Sequence, residues 1–464
     1  MRVENRDTSD LERSVLMVAT VTSFLGPFML SAVNVALPVI QNDLAATAVE
    51  LSWIATSYLL ATAVCLVPIG RIADIHGRRR FFVLGLIVFT VSNFLTLFVR
   101  GVGPFIVLRV LQGAGAAMTV TTGMAIVTSV FPPQRRGKAI GIYVAAVYVG
   151  LSAGPFGGGV LAQHFGWRTI FMVTTVIGML SALVAIRGLK GNEWADAAGE
   201  PMDVIGSLLY GASLILLVYG ATLLPAWHAA VMVTAGLVLL FIFIRFELQL
   251  PHPVFEVRLF SNNKMFAFSS TAALIHYAAT FAITFLLSLY LQYIKGLNPQ
   301  AAGFLLVAQP VCMAVFSPLA GKISDRVEPW KIASVGMAMT AVALAALVMV
   351  DGGTPLYVVV GILITLGIGF ALFSSPNMSA IMGAVAPRHY GTASGTVATM
   401  RLMGQMVSMA LVTVVFAVMI GKTAISPANY GQFLSSMHLC LVIFAVLCGI
   451  GIVFSLYRGT MRQS

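Results

Sequence analysis

Long apolar runs separated by short polar ones set the reading of this chain. A helix that crosses hydrocarbon needs about 20 mostly apolar residues. Six such runs occupy the first part, near 14–38, 52–72, 81–99, 104–130, 139–162 and 168–187. A polar loop, RGLKGNEWADAAGEPMD, follows over 187–203, then two more runs near 204–224 and 227–246 and a second polar stretch over 247–264. Six further runs lie near 265–292, 300–320, 331–350, 355–378, 391–419 and 433–457. The pattern predicts an all-α polytopic membrane protein with fourteen spanning helices. It divides as a six-helix bundle over 1–187, a linker with two additional helices over 188–264, and a second six-helix bundle over 265–464.

Composition agrees. With 59% hydrophobic residues, 9% charged residues and a mean hydropathy of +0.95, the chain has more apolar surface than one soluble core hides, and it needs lipid as a partner. The formal charge of +11 sits in short clusters between spans, with no basic domain or tail, which argues against nucleic acid. Those clusters carry topology instead, because Lys and Arg accumulate in cytoplasmic loops. With the N-terminus inside, 21 of the 27 bases fall on the inner side and only Arg100, Arg168, Lys295 and Lys422 on the outer. Arg109 and Arg401 lie within spans. Both termini are therefore expected in the cytoplasm. The first run is too long for a signal-peptide core and lacks a small-residue cleavage site, so it is expected to stay as a membrane helix. Cys65, Cys312, Cys440 and Cys448 stand alone in apolar segments, without metal or redox spacing, and read as packing residues. No cofactor, metal site or catalytic constellation is expected.

The two halves repeat one another. GRIADIHGRRR, from Gly70 to Arg80, has a degenerate counterpart in GKISDRVEPWK, from Gly321 to Lys331, with Gly70/Gly321 and Asp74/Asp325 at an offset of 251. Pro133, Gly137 and Gly141 recur as Pro387, Gly391 and Gly395 at an offset of 254. Parallel six-helix repeats with a site between them are a known transporter architecture. Chance similarity of short loops is the bland alternative.

Several segments carry specific chemistry. In GRIADIHGRRR, Gly70 permits close helix approach, Asp74 is an acid at a helix end, and Arg78, Arg79 and Arg80 form a basic cluster. FIVLRVLQGAGAAM in the fourth helix places Arg109, Gln112, Gly113 and Gly115 inside a span, where a guanidinium needs a partner or water unless it snorkels outward. GLSAGPFGGG in the fifth helix strips side chains from one surface through Gly150, Gly154, Gly158 and Gly159, and Pro155 removes a backbone donor. Trp167 and Arg168 trail it. SAVNVALP in the first helix, PNMSAIMG from Pro376 and GTASGTVATMRLMGQ from Gly391 complete the set.

Together these motifs resemble the major facilitator superfamily, and within it the fourteen-helix drug:proton antiporters, over nearly the whole chain. The resemblance implies a major facilitator fold and export of hydrophobic or amphipathic small molecules by alternating access, in exchange for protons, by a monomer in the cell membrane. It also implies that Gly70, Asp74, Gly77 and Arg78 latch the halves, with Asp74 against the helix starting near Gly391. Arg109, Gln112 and Gly113 match the family's fourth-helix motif, and the glycine run its antiporter motif. One departure is plain: many of those antiporters carry an Asp five residues before Asn34, where this chain has Met29. All sixteen acids fall in loops, termini or helix ends, so a proton cycle would draw on Asp43, Glu50, Asp74 or His276. A lone intramembrane histidine such as His276 is more often a hydrogen-bonded structural residue than a proton carrier. Candidate cavity residues are Met29, Asn34, Tyr58, His276, Tyr277, Phe281, Gln309, Asn377, Arg401 and Gln405. The alternative reading is a facilitator or flippase for lipid-like or anionic compounds without proton coupling.

Overall fold

The computed structural model describes residues 2–189, 193–224, 226–251, 253–324, 326–385 and 390–459. Asp325 and Pro387 of the repeat, and the bases Lys190, Arg388 and Arg462, lie outside these residues. Among the described residues, fourteen helices are long and apolar enough to span a membrane. They are α1 (Asp10–Leu44), α2 (Ala48–His76), α3 (Arg78–Thr96), α4 (Val102–Val130), α5 (Gln134–Phe165), α6 (Arg168–Gly188), α7 (Val204–Thr222), α8 (Trp227–Glu247), α9 (Lys264–Ile294), α10 (Pro299–Ser324), α11 (Pro329–Val348), α12 (Leu356–Gly383), α13 (Ala393–Met419) and α14 (Pro427–Leu456). Fourteen passes return the chain to the face on which it began, here called the terminal face; the other is the far face.

Helices dominate because hydrocarbon offers no partner for backbone N–H and C=O groups, which must bond within the segment. Their starts are marked chemically. Thr47 and Glu50 form a capping box on α2, and Asp203, Asn263 and Asn298 each accept a backbone N–H at the start of α7, α9 and α10. The expected fourteen spans are all present. Several run longer than the hydropathy reading, α1 and α5 most of all, because a helix continues beyond the hydrocarbon for as long as nothing stops it. One span is broken. Near Phe281 the ladder of α9 is interrupted, the Ala282 N–H donates to Ser408 Oγ of α13 at 3.0 Å, and the helix ends in a wide turn over Tyr290–Ile294.

The repeat appears in three dimensions as matched glycine crossings. Gly85 of α3 and Gly115 of α4 face each other so closely that a Cβ on either would lie 2.8 Å from the other's carbonyl oxygen. Gly336 of α11 and Gly369 of α12 do the same, with 2.6 and 2.9 Å. Gly113 packs on the Tyr58 carbonyl, as Gly367 packs on that of Gln309. Gly150 of α5 meets Phe24 of α1, as Gly404 of α13 meets Leu274 of α9. The offsets, 250, 251 and 254, coincide with or fall one short of those of the loop motifs. The additional pair, α7 and α8, packs on itself and lies against α2 and α13, where the Tyr210 hydroxyl donates to the Ala63 carbonyl at 3.0 Å.

Candidate functional site

The glycine run of α5 has two working surfaces. Gly150, Gly154 and Gly158, one helical face, press against α1: a Cβ at Gly154 would lie 2.5 Å from Ser31 Cβ, and one at Gly158 2.5 Å from Ala32 Cα. Gly159 turns instead to the opposite bundle, where a Cβ would lie 2.5 Å from the Pro299 carbonyl oxygen at the start of α10. Gly303, one turn into α10, returns the contact by packing on the Pro155 carbonyl.

Around this contact the bundles are joined at the far face. Ser288 Oγ donates to the Asn34 carbonyl at 2.9 Å, and Gln292 Nε2 donates to that of Val35 at 2.9 Å. The Thr56 and Thr413 hydroxyls share a bond of 3.1 Å, Gln41 donates to the Ile425 carbonyl, and His164 meets Gln300 at 2.9 Å. These hydrogen bonds between the bundles all lie toward this face. The molecule is therefore closed there.

Arg109 is fully buried. Its Nε donates to the Ile54 carbonyl at 2.9 Å, its Nη1 to Gln112 Oε1 at 2.9 Å, and its guanidinium lies 4.4 Å from the centre of the Tyr58 ring. Gln112 in turn donates to Thr96 Oγ1 at 3.0 Å. Nη2 has no partner, no carboxylate faces the group, and it is not joined to Asn34. The snorkelling alternative is excluded by its complete burial, and the partner it needs is supplied by a carbonyl, an amide and an aromatic ring.

The acids of the proton-cycle argument are otherwise occupied. Asp43 accepts from Trp167 Nε1 at 3.0 Å and from Arg168 Nη1 at 2.6 Å, which ties the residues trailing the glycine run to the end of α1. Glu50 closes the capping box of α2. Asp74 accepts from Arg78 Nε at 2.6 Å, and Arg78 also pairs with Asp196 at 2.7 Å. The loop before α7 supplies further partners, with Glu200 on Arg71 at 2.6 Å and Glu193 on Arg80 at 3.5 Å. Gly77, at a φ of +114° with the Glu193 side chain pressed against it, is a position no other residue fills comfortably. The bonds that Asp74 makes are thus to its own loop; the start of the helix near Gly391 adjoins residues 386–389, outside those described.

Of the cavity candidates, Tyr277, Phe281, Arg401 and Gln405 are half-buried. Tyr277 interacts through its hydroxyl with Arg401 and Ser374, and Tyr148 of α5 lies within electrostatic range. His276 is fully buried, with neither ring nitrogen partnered, against Phe373 at 4.1 Å and Phe370 at 5.1 Å between ring centres. It is not the hydrogen-bonded structural histidine of the simpler expectation. Met29 is fully buried in the core, Asn34 is buried with its Oδ1 unpartnered, and Tyr58 and Gln309 are packed at glycine crossings. Asn377 stands apart from any open wall: it donates to the Ser269 carbonyl at 3.1 Å and accepts from Arg458 at 2.5 Å.

Two buried groups escaped the sequence reading. Arg458, counted there as a solvated inner base, is 1% exposed and bonds Ser455, Ser269 and Asn377. Glu247, read as an acid at a helix end, has no exposed surface; its Oε2 accepts the Phe255 N–H at 3.0 Å, while Oε1 and the Asp203 Oδ2 crowd beside Gly206 without a donor.

Fourteen spans, duplicated bundles meeting at backbone glycines and a closed face define a polytopic membrane transporter fold rather than an enzyme. The profile of the Major Facilitator Superfamily matches residues 19–409 and again 269–463, and the chain belongs to that superfamily. It is 30% identical to the cephamycin export protein CmcT of Amycolatopsis lactamdurans over 451 residues, 94% of this chain and 91% of that one. It is 27% identical to the riboflavin transporter RibZ of Clostridioides difficile, with 96% of each covered. It is 28% identical to the multidrug resistance protein Stp of Mycobacterium tuberculosis H37Rv, with 89% and 78% covered. Its fold matches that of a bacterial homolog of the human lysosomal transporter Spinster, with a TM-score of 0.70 at 16% identity over 97% of each chain. The resemblance to the fourteen-helix drug-exporter branch is borne out by these relatives and by the span count.

Proposed function

We propose that the protein exports hydrophobic or amphipathic small molecules across the cell membrane by alternating access, as a monomer with both termini in the cytoplasm. The closed far face supports this reading. With the bundles joined there through Gly159, Gly303 and the bonds of Ser288 and Gln292, a ligand is admitted from the terminal face, and rocking of the bundles at 1–187 and 265–464 exposes it to the other. The strong bias of bases toward the terminal face supports a cytoplasmic assignment for it. The export-named relative CmcT and the resistance-named relative Stp point the same way.

Exchange for protons is the energy source this reading carries. Asp43, Glu50 and Asp74 all hold partners; His276, whose ring nitrogens have none, and the motif acid Asp74 are the groups to test. The absence of a mid-span carboxylate favours a second reading, facilitated passage without proton exchange. Inverted vesicles loaded with protein, given a hydrophobic dye and an imposed pH gradient, separate the two. Dye uptake that dissipates the gradient, and that loses its pH response in His276→Gln or Asp74→Asn, is expected from exchange. Dye uptake indifferent to the gradient supports the facilitator, and no uptake refutes both.

A further inference from the structure

One charge on the inner surface of the second bundle is left without a counter-charge. Arg401 lies on α13 eight residues past Ala393, roughly 12 Å along the helix from its terminal-face end at 1.5 Å per residue. It is half-buried and pairs with no carboxylate among the described residues. Its polar partner is the hydroxyl of Tyr277 on α9, which Ser374 of α12 also reaches, and which the packing of Gly404 on Tyr277 brings close. The hydroxyls of Tyr143 and Tyr148 on α5 of the opposite bundle lie within electrostatic range of this pair. Gln405 occupies the next turn of the same face of α13, half-buried and without a protein partner.

Local packing explains the arrangement. Gly404 has no side chain because one would strike the Leu274 carbonyl and Tyr277 Cβ, so α9 and α13 touch and Tyr277 is brought beside Arg401. The Tyr277 ring is fixed edge-on to Phe370, 5.4 Å away, beside the Phe373 and His276 rings.

A guanidinium at this depth is costly unless something balances it. Tyrosine hydroxyls do not. An Arg that bonds the Tyr277 oxygen leaves that O–H free to donate, so guanidinium, phenol and, one turn along α13, the Gln405 amide supply donors beside an aromatic wall. That combination recognises an oxyanion attached to a planar apolar body.

We propose that Arg401, with Tyr277, Tyr148 and Gln405, binds an acidic group of the transported molecule, so that this protein's substrates are anionic amphipaths bearing a carboxylate, sulfonate or phosphate. The proposal rests on the reading of the space between the bundles as the transport cavity. It also gives a reason for Met29: a site whose cation is balanced by the substrate has no use for a resident carboxylate.

The test uses two fluorescent probes that differ only by a sulfonate, 8-anilinonaphthalene-1-sulfonate and N-phenyl-1-naphthylamine, titrated against the purified full-length protein in detergent. The wild type is expected to bind the sulfonate about tenfold or more tightly, the scale of charge-assisted bonds. Arg401→Gln should erase that preference, Arg401→Lys should keep part of it, and Tyr277→Phe should weaken sulfonate binding several-fold. Equal binding of both probes, an unchanged preference in all three variants, or no binding of either overturns the proposal. Vesicle uptake of the neutral probe judges export separately. Export of that probe with no Arg401-dependent preference sinks the anion site alone; sulfonate binding through Arg401 with neither probe moved sinks the export reading alone.

Discussion

Replacing Gly303 or Gly159 by Ala should reopen the far face. At Gly159 the added carbon would lie 2.5 Å from the Pro299 carbonyl oxygen, where a comfortable C···O approach is about 3.3 Å or more. The Gly303 methyl would run into the Pro155 carbonyl, and neither obstacle is a side chain that could swing away. Overpacking of this kind costs about 1–3 kcal/mol. These contacts exist only while α5 and α10 touch, so the cost falls on the far-closed state alone and shifts the balance of states by roughly 5- to 150-fold. Gly154→Ala is the control, because its clash with Ser31 lies within one bundle and burdens both states alike. The assay is maleimide labelling of Gln300→Cys, a far-face residue bonded to His164, in detergent, with the half-buried Cys65 and Cys312 replaced by Ser. Gly303→Ala should speed labelling with little loss of melting temperature, while Gly154→Ala should lower the melting temperature without speeding labelling. Unchanged labelling in Gly303→Ala and Gly159→Ala would refute the assignment of this contact as the far gate.

Other expectations follow from single groups. Arg458→Ala leaves Asn377 Oδ1 buried without its donor and removes three further bonds, so it should destabilise the second bundle by about 2–4 kcal/mol, read as a lower melting temperature. Glu247→Gln supplies the N–H donor that Asp203 Oδ2 lacks and should raise the melting temperature, whereas Asp203→Ala, which removes the α7 cap, should lower it. Asp74→Asn, nearly unchanged in volume, removes the charge that holds Arg78 and should slow dye export several-fold while membrane insertion stays normal. Full export rates in that variant would disprove the motif's role.

How much of this was legible in the sequence depends on how far apart the cooperating residues lie. Each span announces itself, because about 20 consecutive apolar residues have few other uses. The glycines announced close approach but not to what: Gly154 and Gly159 lie five positions apart, yet one packs within its bundle and the other on its neighbour. Long-range partners were invisible. Arg458 follows the last span and looks like any inner base, and its burial requires Ser269, Asn377 and Ser455 from three helices. Asn377 was read as a cavity residue for the same reason. Glu247 sits where a helix ends, and only the return of Asp203 and Phe255 encloses it. Arg109 was legible as buried, but its solution, a carbonyl, an amide and a tyrosine ring in place of an acid, was not.

Alternation itself is tested most directly by two distances measured together in spin-labelled protein reconstituted in lipid. One label pair would sit at His164 and Gln300 on the far face, the other at the exposed His76 of α2 and Lys322 of α10 on the terminal face. On addition of a transported dye, the account predicts a population in which the far pair lengthens while the terminal pair shortens, and Gly303→Ala should enlarge it. Both pairs lengthening together, or neither moving under any condition in which dye is exported, would contradict it.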